Sequence, residues 1–205
     1  MALVKYNNNS ISAVTAAASI PSGSMVLLNT NTITSGVSSS SFTSNIDSTY
    51  DTYLFKFINI HPATDGANFT FNASIDGGSN YNVVATTTLF QSYHNEADNS
   101  SGLGYSTGHD HAQDTGYKKL GIAFNNDNDS CGSGYLHLFE PSSDTFVKHY
   151  VGITQEVQDS DYSQAEHFGG YFNTTSAIDA IDFKFSSGNI DSGIIKMYGL
   201  SKSWA

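Results

Sequence analysis

Asn68-Phe69-Thr70-Phe71-Asn72-Ala73-Ser74-Ile75 alternates apolar and polar side chains without a break. A period of two puts Phe69, Phe71, Ala73 and Ile75 on one face and Thr70, Asn72 and Ser74 on the other, the pattern of an antiparallel strand with one wet face. Asp76-Gly77-Gly78 follows and reads as a hairpin turn. Outward from this stretch the same grammar recurs. Tyr53–Ile60 is apolar except for Lys56 and Asn59, and Lys118–Phe124 sets Leu120, Ile122 and Phe124 on one face. Further strands are expected at Met25–Leu28, Tyr81–Tyr93, Tyr135–Phe139, Phe146–Ile153, Phe168–Asn173, Ile181–Phe185 and Ile194–Leu200. No segment carries helical periodicity, and no internal repeat is evident. Short strands separated by turn signals predict an all-β fold, an antiparallel two-sheet β-sandwich of jelly-roll type. Residues 1–24 lack apolar periodicity and are read as an extended N-terminal arm for docking; 25–205 are read as a single sandwich domain.

Composition sets what such a domain can do. Of 205 residues, 30 are Ser, 18 Thr, 18 Asn and 18 Gly, while only 13% are charged. All eight basic residues are Lys and the net charge is −11. Nucleic-acid binding rests on cations that neutralise phosphates, so a DNA or RNA partner is not expected. An anionic lipid surface is disfavoured by the same charge, and no apolar run reaches the length of a membrane span. The sole cysteine, Cys131, permits no intrachain disulfide, and the start Met1-Ala2-Leu3-Val4-Lys5-Tyr6 does not read as a signal peptide. A polar, uncharged surface made without export or disulfides suits a virion protein, which folds in the host cytoplasm and leaves on lysis.

The chemistry-bearing residues form no recognised catalytic motif: the sequence has no G-x-S-x-G elbow, no H-E-x-x-H and no phosphate-cradling loop. His109-Asp110-His111 would place two imidazoles on one side of a strand. Asn125-x-Asp127-x-Asp129 begins like a calcium loop, but the twelfth position holds a leucine instead of glutamate. His109, His111, Asp127 and Asp129 are therefore the nearest approach to metal ligands, and no metal or other cofactor is expected. The four glutamates, Glu96, Glu140, Glu156 and Glu166, fall in or beside expected loops, with nothing to pair them as a glycosidase requires. Two long acidic loops, 94–117 and 158–166, carry or border Tyr93, His94, Tyr105, Tyr117 and Tyr162. Tyrosine supplies rigid amphipathic contact surface, so these five residues are the expected surface contact site.

The C-terminal stretch Ile181-Asp182-Phe183-Lys184-Phe185-Ser186-Ser187-Gly188-Asn189-Ile190, closing on Tyr198-Gly199-Leu200, resembles the final strands of small all-β structural proteins of marine tailed bacteriophages. Tyr53–Asp65 and the opening Val4–Ser12 look like the same group. The resemblance implies a non-enzymatic virion protein displayed on the particle surface, either a tail-fibre-type attachment protein or a capsid decoration protein. It further implies virion partners reached through the N-terminal arm, a homo-oligomer with a trimer favoured, and a host surface glycan as a candidate ligand. The alternatives are a carbohydrate-binding module and a glycan depolymerase.

Overall fold

A computed structural model describes residues 25–200 of the chain. The N-terminal arm expected over 1–24 lies outside the described residues. Twelve antiparallel strands follow one another without a helix: β1 (Met25–Ile33), β2 (Ser40–Phe42), β3 (Thr52–Pro62), β4 (Ala67–Ser74), β5 (Ala85–Asn95), β6 (Ser101–Tyr105), β7 (Lys118–Phe124), β8 (Gly132–Phe139), β9 (Lys148–Gln158), β10 (Tyr162–Phe172), β11 (Ala180–Phe185) and β12 (Ile190–Leu200). The all-β expectation holds. All twelve strands belong to one hydrogen-bonded sheet in the order β1-β12-β3-β8-β9-β7-β4-β11-β2, with β10-β5-β6 extending from β9 as a flap. The sheet nearly closes on itself. At the seam the Asn31 side-chain amide on β1 donates to Ser40 Oγ at 2.9 Å and to the Ser41 carbonyl at 3.2 Å on β2.

The interior is aromatic. Phe183 on β11 lies within 6.3 Å, ring centre to ring centre, of Phe42, Phe55, Phe57, Phe69 and Phe71. It therefore ties its sheet neighbours β2 and β4 to β3 across the interior. Edge-to-face and offset geometries of this kind add to the area each ring buries. The polar face expected for β4 is not wet. Thr70, Asn72 and Ser74 are buried, and the end of the 106–117 segment packs against Asn72. Asn72 Nδ2 donates to the carbonyls of Thr115 and Gly116, and Thr70 Oγ1 to that of Lys184. Lys118 is buried at the same place, its ammonium donating to the carbonyls of Asp114 and Gly116, and burial lowers its pKa to about 8.

Three connections differ from the sequence reading. Asp76-Gly77-Gly78 is a turn, with both glycines at positive φ, but it does not close a hairpin. β4 pairs with β7 and β11, whereas β5 pairs with β10 and β6. The 94–117 segment is not one long loop, since β5 continues to Asn95 and β6 returns along it. Nor is 158–166 a loop: β9 and β10 form an eleven-pair hairpin turned by Asp159–Asp161, with Asp161 at positive φ.

Replacing the fully buried Phe183 with alanine should cost about 3–5 kcal/mol, because five rings lose their common neighbour. Denaturant titration of Phe183→Ala against the parent chain measures it; a loss under about 1 kcal/mol would contradict the packing described.

Candidate functional site

The five strands β8, β9, β10, β5 and β6 hold two acidic residues, Glu156 and Glu166, and both point inward. The strands themselves present no carboxylate on their outward face, although the chain carries 19 acidic residues; Asp98 and Asp110, from the segments that flank β6, reach only its His94 and Tyr105 side chains. Register aligns Tyr135, Ile153, His167, Phe90 and Tyr105 in one row straight across the five strands. His137, Val151, Gly169 and Thr88 form the next row. The imidazole of His167 stacks on Phe90 at 4.7 Å and 3°, and His137 lies nearly parallel to Phe139 at 6.0 Å. Between these two ring pairs, which sit about 14 Å apart at ordinary strand spacing, runs an open groove of about 660 Å³ floored by Val151, Ile153 and Gly169. Burial holds the His137 pKa below its ordinary value, so that ring is neutral at pH 7.

Exposure is uneven in the same sense. Ten large hydrophobic side chains are exposed among the described residues. Eight of them, Met25, Leu27, Phe90, Leu103, Tyr105, Tyr135, Phe139 and Val151, project from the outward side of the sheet formed by β1, β12, β3, β8, β9, β10, β5 and β6. Leu103 on the edge strand β6 is the most exposed, at 75%. Six of the eight, Phe90, Leu103, Tyr105, Tyr135, Phe139 and Val151, lie on β8, β9, β5 and β6.

The inward face of the flap is different. Here register aligns Glu156, Gln164, Tyr93 and Gly102 in one row, and Thr154, Glu166, Gln91 and Gly104 in the next. Glu156 and Glu166 are buried and lie within hydrogen-bonding reach of each other. This overturns the expectation that the glutamates are unpaired loop residues. A tight turn centred on Ser160 was the signal available in the sequence, since it puts 156 opposite 164 and 166 opposite 154 on one face. Glu156 Oε1 accepts the Ile122 backbone N–H at 3.1 Å, and Glu166 Oε1 accepts Gln164 Nε2 at 2.7 Å. The remaining Oε2 of each has no conventional donor. A proton shared between the two carboxyls supplies one. Burial raises both pKa values, and the neighbouring Glu166 raises that of Glu156 further. A pair closed off from solvent in this way has no access to a glycosidic bond.

The expected contact residues are only partly gathered. Tyr93 and Tyr162 meet edge to face at 5.6 Å over the inward side of the flap. Tyr105 stands on the outward side, its hydroxyl donating to Asp110 at 2.7 Å. His94 is also outward and pairs with Asp98 at 3.1 Å. Tyr117 does not belong to this surface: its hydroxyl donates to Asp182 at 2.9 Å and the Lys184 ammonium sits 3.9 Å over its ring. The two histidines expected to face one ion are engaged apart, His109 Nδ1 with Ser106 Oγ at 2.7 Å and His111 Nδ1 with Asp114 at 2.5 Å. Asp127 instead shapes a turn, its N–H bonded to Asn125 Oδ1 and its carbonyl to the Ser130 N–H. Among the described residues no group of three or more His, Cys, Asp or Glu side chains, Asp129 included, is placed to hold a metal ion. Cys131 is half-buried, 3.8 Å from Asn59 Oδ1. No helix of the described residues is long and apolar enough to cross a membrane.

No protein-family model, curated protein or solved structure matches the chain.

The carboxyl pair makes stability pH-dependent. Both folded-state pKa values lie above the unfolded value near 4.5, so the folded state keeps protons that the unfolded state releases. Their contribution is complete below pH 4.5 and is lost as pH rises through the folded pKa values. Glu166→Gln keeps the acceptor for Gln164 and removes one titrating group. The variant should gain roughly 1–3 kcal/mol over the parent at pH 8, with the gain shrinking towards pH 4.5. Melting temperatures at the two pH values check this; a gain that is equal at both contradicts the shared proton.

Proposed function

We propose that the chain is a non-enzymatic structural protein of a virion, displayed on the particle surface and assembled from copies of itself through the outward face of β8, β9, β10, β5 and β6. The observation that carries the assembly is the carboxylate-free aromatic groove. In a chain of net charge −11, copies join with least repulsion where carboxylates are absent, and no Asp or Glu lines the groove. Interface centres are depleted in charge and rich in Tyr, Phe and Met, and Met25, Phe90, Tyr135 and Phe139 stand on the outward side of the sheet. The element of matching chemistry is β6, whose Leu103 and Tyr105 project beside the groove and can seat in the groove of a neighbouring copy. Because the surface recognises itself, a closed symmetric oligomer follows.

Support for the virion assignment comes from the uncharged polar composition, the lack of disulfide partners for Cys131 and the likeness of the closing strands to phage structural proteins. We read the closed sheet as a jelly-roll-like sandwich. The facing of Phe55 and Phe57 on β3 against Phe69 and Phe183 on β4 and β11 supports that reading. A catalytic role has no support in the groove, which brings together no nucleophile, base and orienting group.

Native mass spectrometry of the full chain should give a closed oligomer at micromolar concentration, and Leu103→Lys or Val151→Lys should give monomers with an unchanged fold by circular dichroism. A parent chain that is strictly monomeric overturns the assembly. Peptides of the chain absent from purified particles, but present in the lysate that produced them, overturn the virion assignment.

A further inference from the structure

We propose that the cleft on the inward side of the β5–β6 flap binds a neutral saccharide. The cleft has two adjoining lobes of about 260 and 250 Å³ that share Gln91 and Tyr93. Its floor is bare because β6 places glycine at both inward positions. A Cβ at Gly102 would run into the Tyr93 ring, whereas one at Gly104 would meet nothing within 4 Å. Its walls are planar: the Tyr93 and Tyr162 rings, and the carboxamides of Gln91 and Gln164. At its back one buried acceptor has no donor, Gln91 Oε1.

An unpaired buried acceptor favours a ligand that carries hydroxyl donors. The Tyr93 ring beside it suits the apolar face of a sugar ring, because one side of such a ligand is apolar and its edge is polar. No charged side chain lines either lobe. The cleft therefore offers an anionic glycan no cation, and a net charge of −11 repels it. Hydroxyls reaching Gln91 Oε1 would replace a missing partner, so selectivity follows from hydrogen bonding. The site does not rest on the assembly reading, since it lies on the opposite side of the sheet from the groove.

Isothermal titration of the full chain with linear β-glucan, α-glucan, mannan and galactan oligosaccharides, and with their sulfated counterparts, tests the site. At least one neutral oligosaccharide should bind with Kd below about 1 mM. Gly104→Val, which fills the open floor, and Gln91→Leu, which removes the acceptor, should each weaken binding about tenfold or more while the melting transition is retained. Val151→Lys, on the outward side, should leave saccharide binding unchanged even where it dissociates the oligomer. Binding of none of the neutral probes at millimolar concentration, tighter binding of a sulfated probe, or undiminished binding by both Gly104→Val and Gln91→Leu overturns the proposal.

Discussion

The sheet forks at β9, and the rest of the domain is arranged around that fork. Just past the end of β8, β7 pairs with β9 at one position, Phe124 with Gln158, while β10 runs the full length of the opposite edge. β7 therefore peels away from β9 and leaves backbone groups without a strand partner. Orphaned backbone groups in an interior are costly, and side chains of β9 take them up. Thr154 Oγ1 donates to the Leu120 carbonyl at 2.5 Å, and Glu156 Oε1 accepts the Ile122 N–H at 3.1 Å. On β4, Asn68 Oδ1 accepts the Ala123 N–H at 3.0 Å. A carboxylate is buried here because the fork needs an acceptor. The second carboxyl of Glu166, with the proton they share, keeps the first from being an isolated buried charge.

The fork also produces the two surfaces. Beyond it, β10, β5 and β6 continue past the closed part of the sheet, so towards the flap's edge the inward face is no longer covered by β4 and β11. The row from Glu156 to Gly102 thus passes from buried carboxyl to open cleft across four strands. On the other side, the flap prolongs the outward face of β3, β8 and β9 into a surface whose five strands present no carboxylate. One divergence of two strands accounts for a covered polar interior, an exposed cleft and an unpartnered apolar face.

Much of this was legible in the sequence, and the failures have physical reasons. Period-two alternation located strands well because each buries at least one face. It misassigned the wet side of β4 because Thr70, Asn72 and Ser74 are short enough to find partners while buried, in the Lys184 carbonyl, the Thr115 and Gly116 carbonyls and the Asp76 carboxylate respectively; alternation reports polarity, not what later chain folds over it. β6 was missed because Ser101-Gly102-Leu103-Gly104-Tyr105 lacks β-branched residues, and the glycines that hid it also open the cleft. Tyr93 and Tyr162 come together edge to face, but Tyr117 lies apart from them, since only the fold brings Asp182 and Lys184 to its side chain. The groove itself has no local signal: its central row joins positions 90, 105, 135, 153 and 167, which only register assembles.

The abundance of Ser, Thr, Asn and Gly then divides into two causes. One is turn chemistry. Twelve strands without a helix need many reversals, and short polar side chains stabilise them by bonding nearby backbone. Asn95 Oδ1 accepts from the N–H groups of Asn99 and Ser100, Asp76 Oδ1 from that of Asn80, and Ser143 Oγ from that of Phe146. Turns of this kind would serve any all-β domain and say nothing of location. The other cause is the placement of charge. Fifteen aspartates and four glutamates are present, yet β5, β6 and β8 hold none, and those of β9 and β10 face inward. Turn formation does not require that exclusion, because an exposed strand position tolerates Asp or Glu at little cost. The exclusion is a property of the surface these strands present, and it is the feature on which the proposed self-assembly rests.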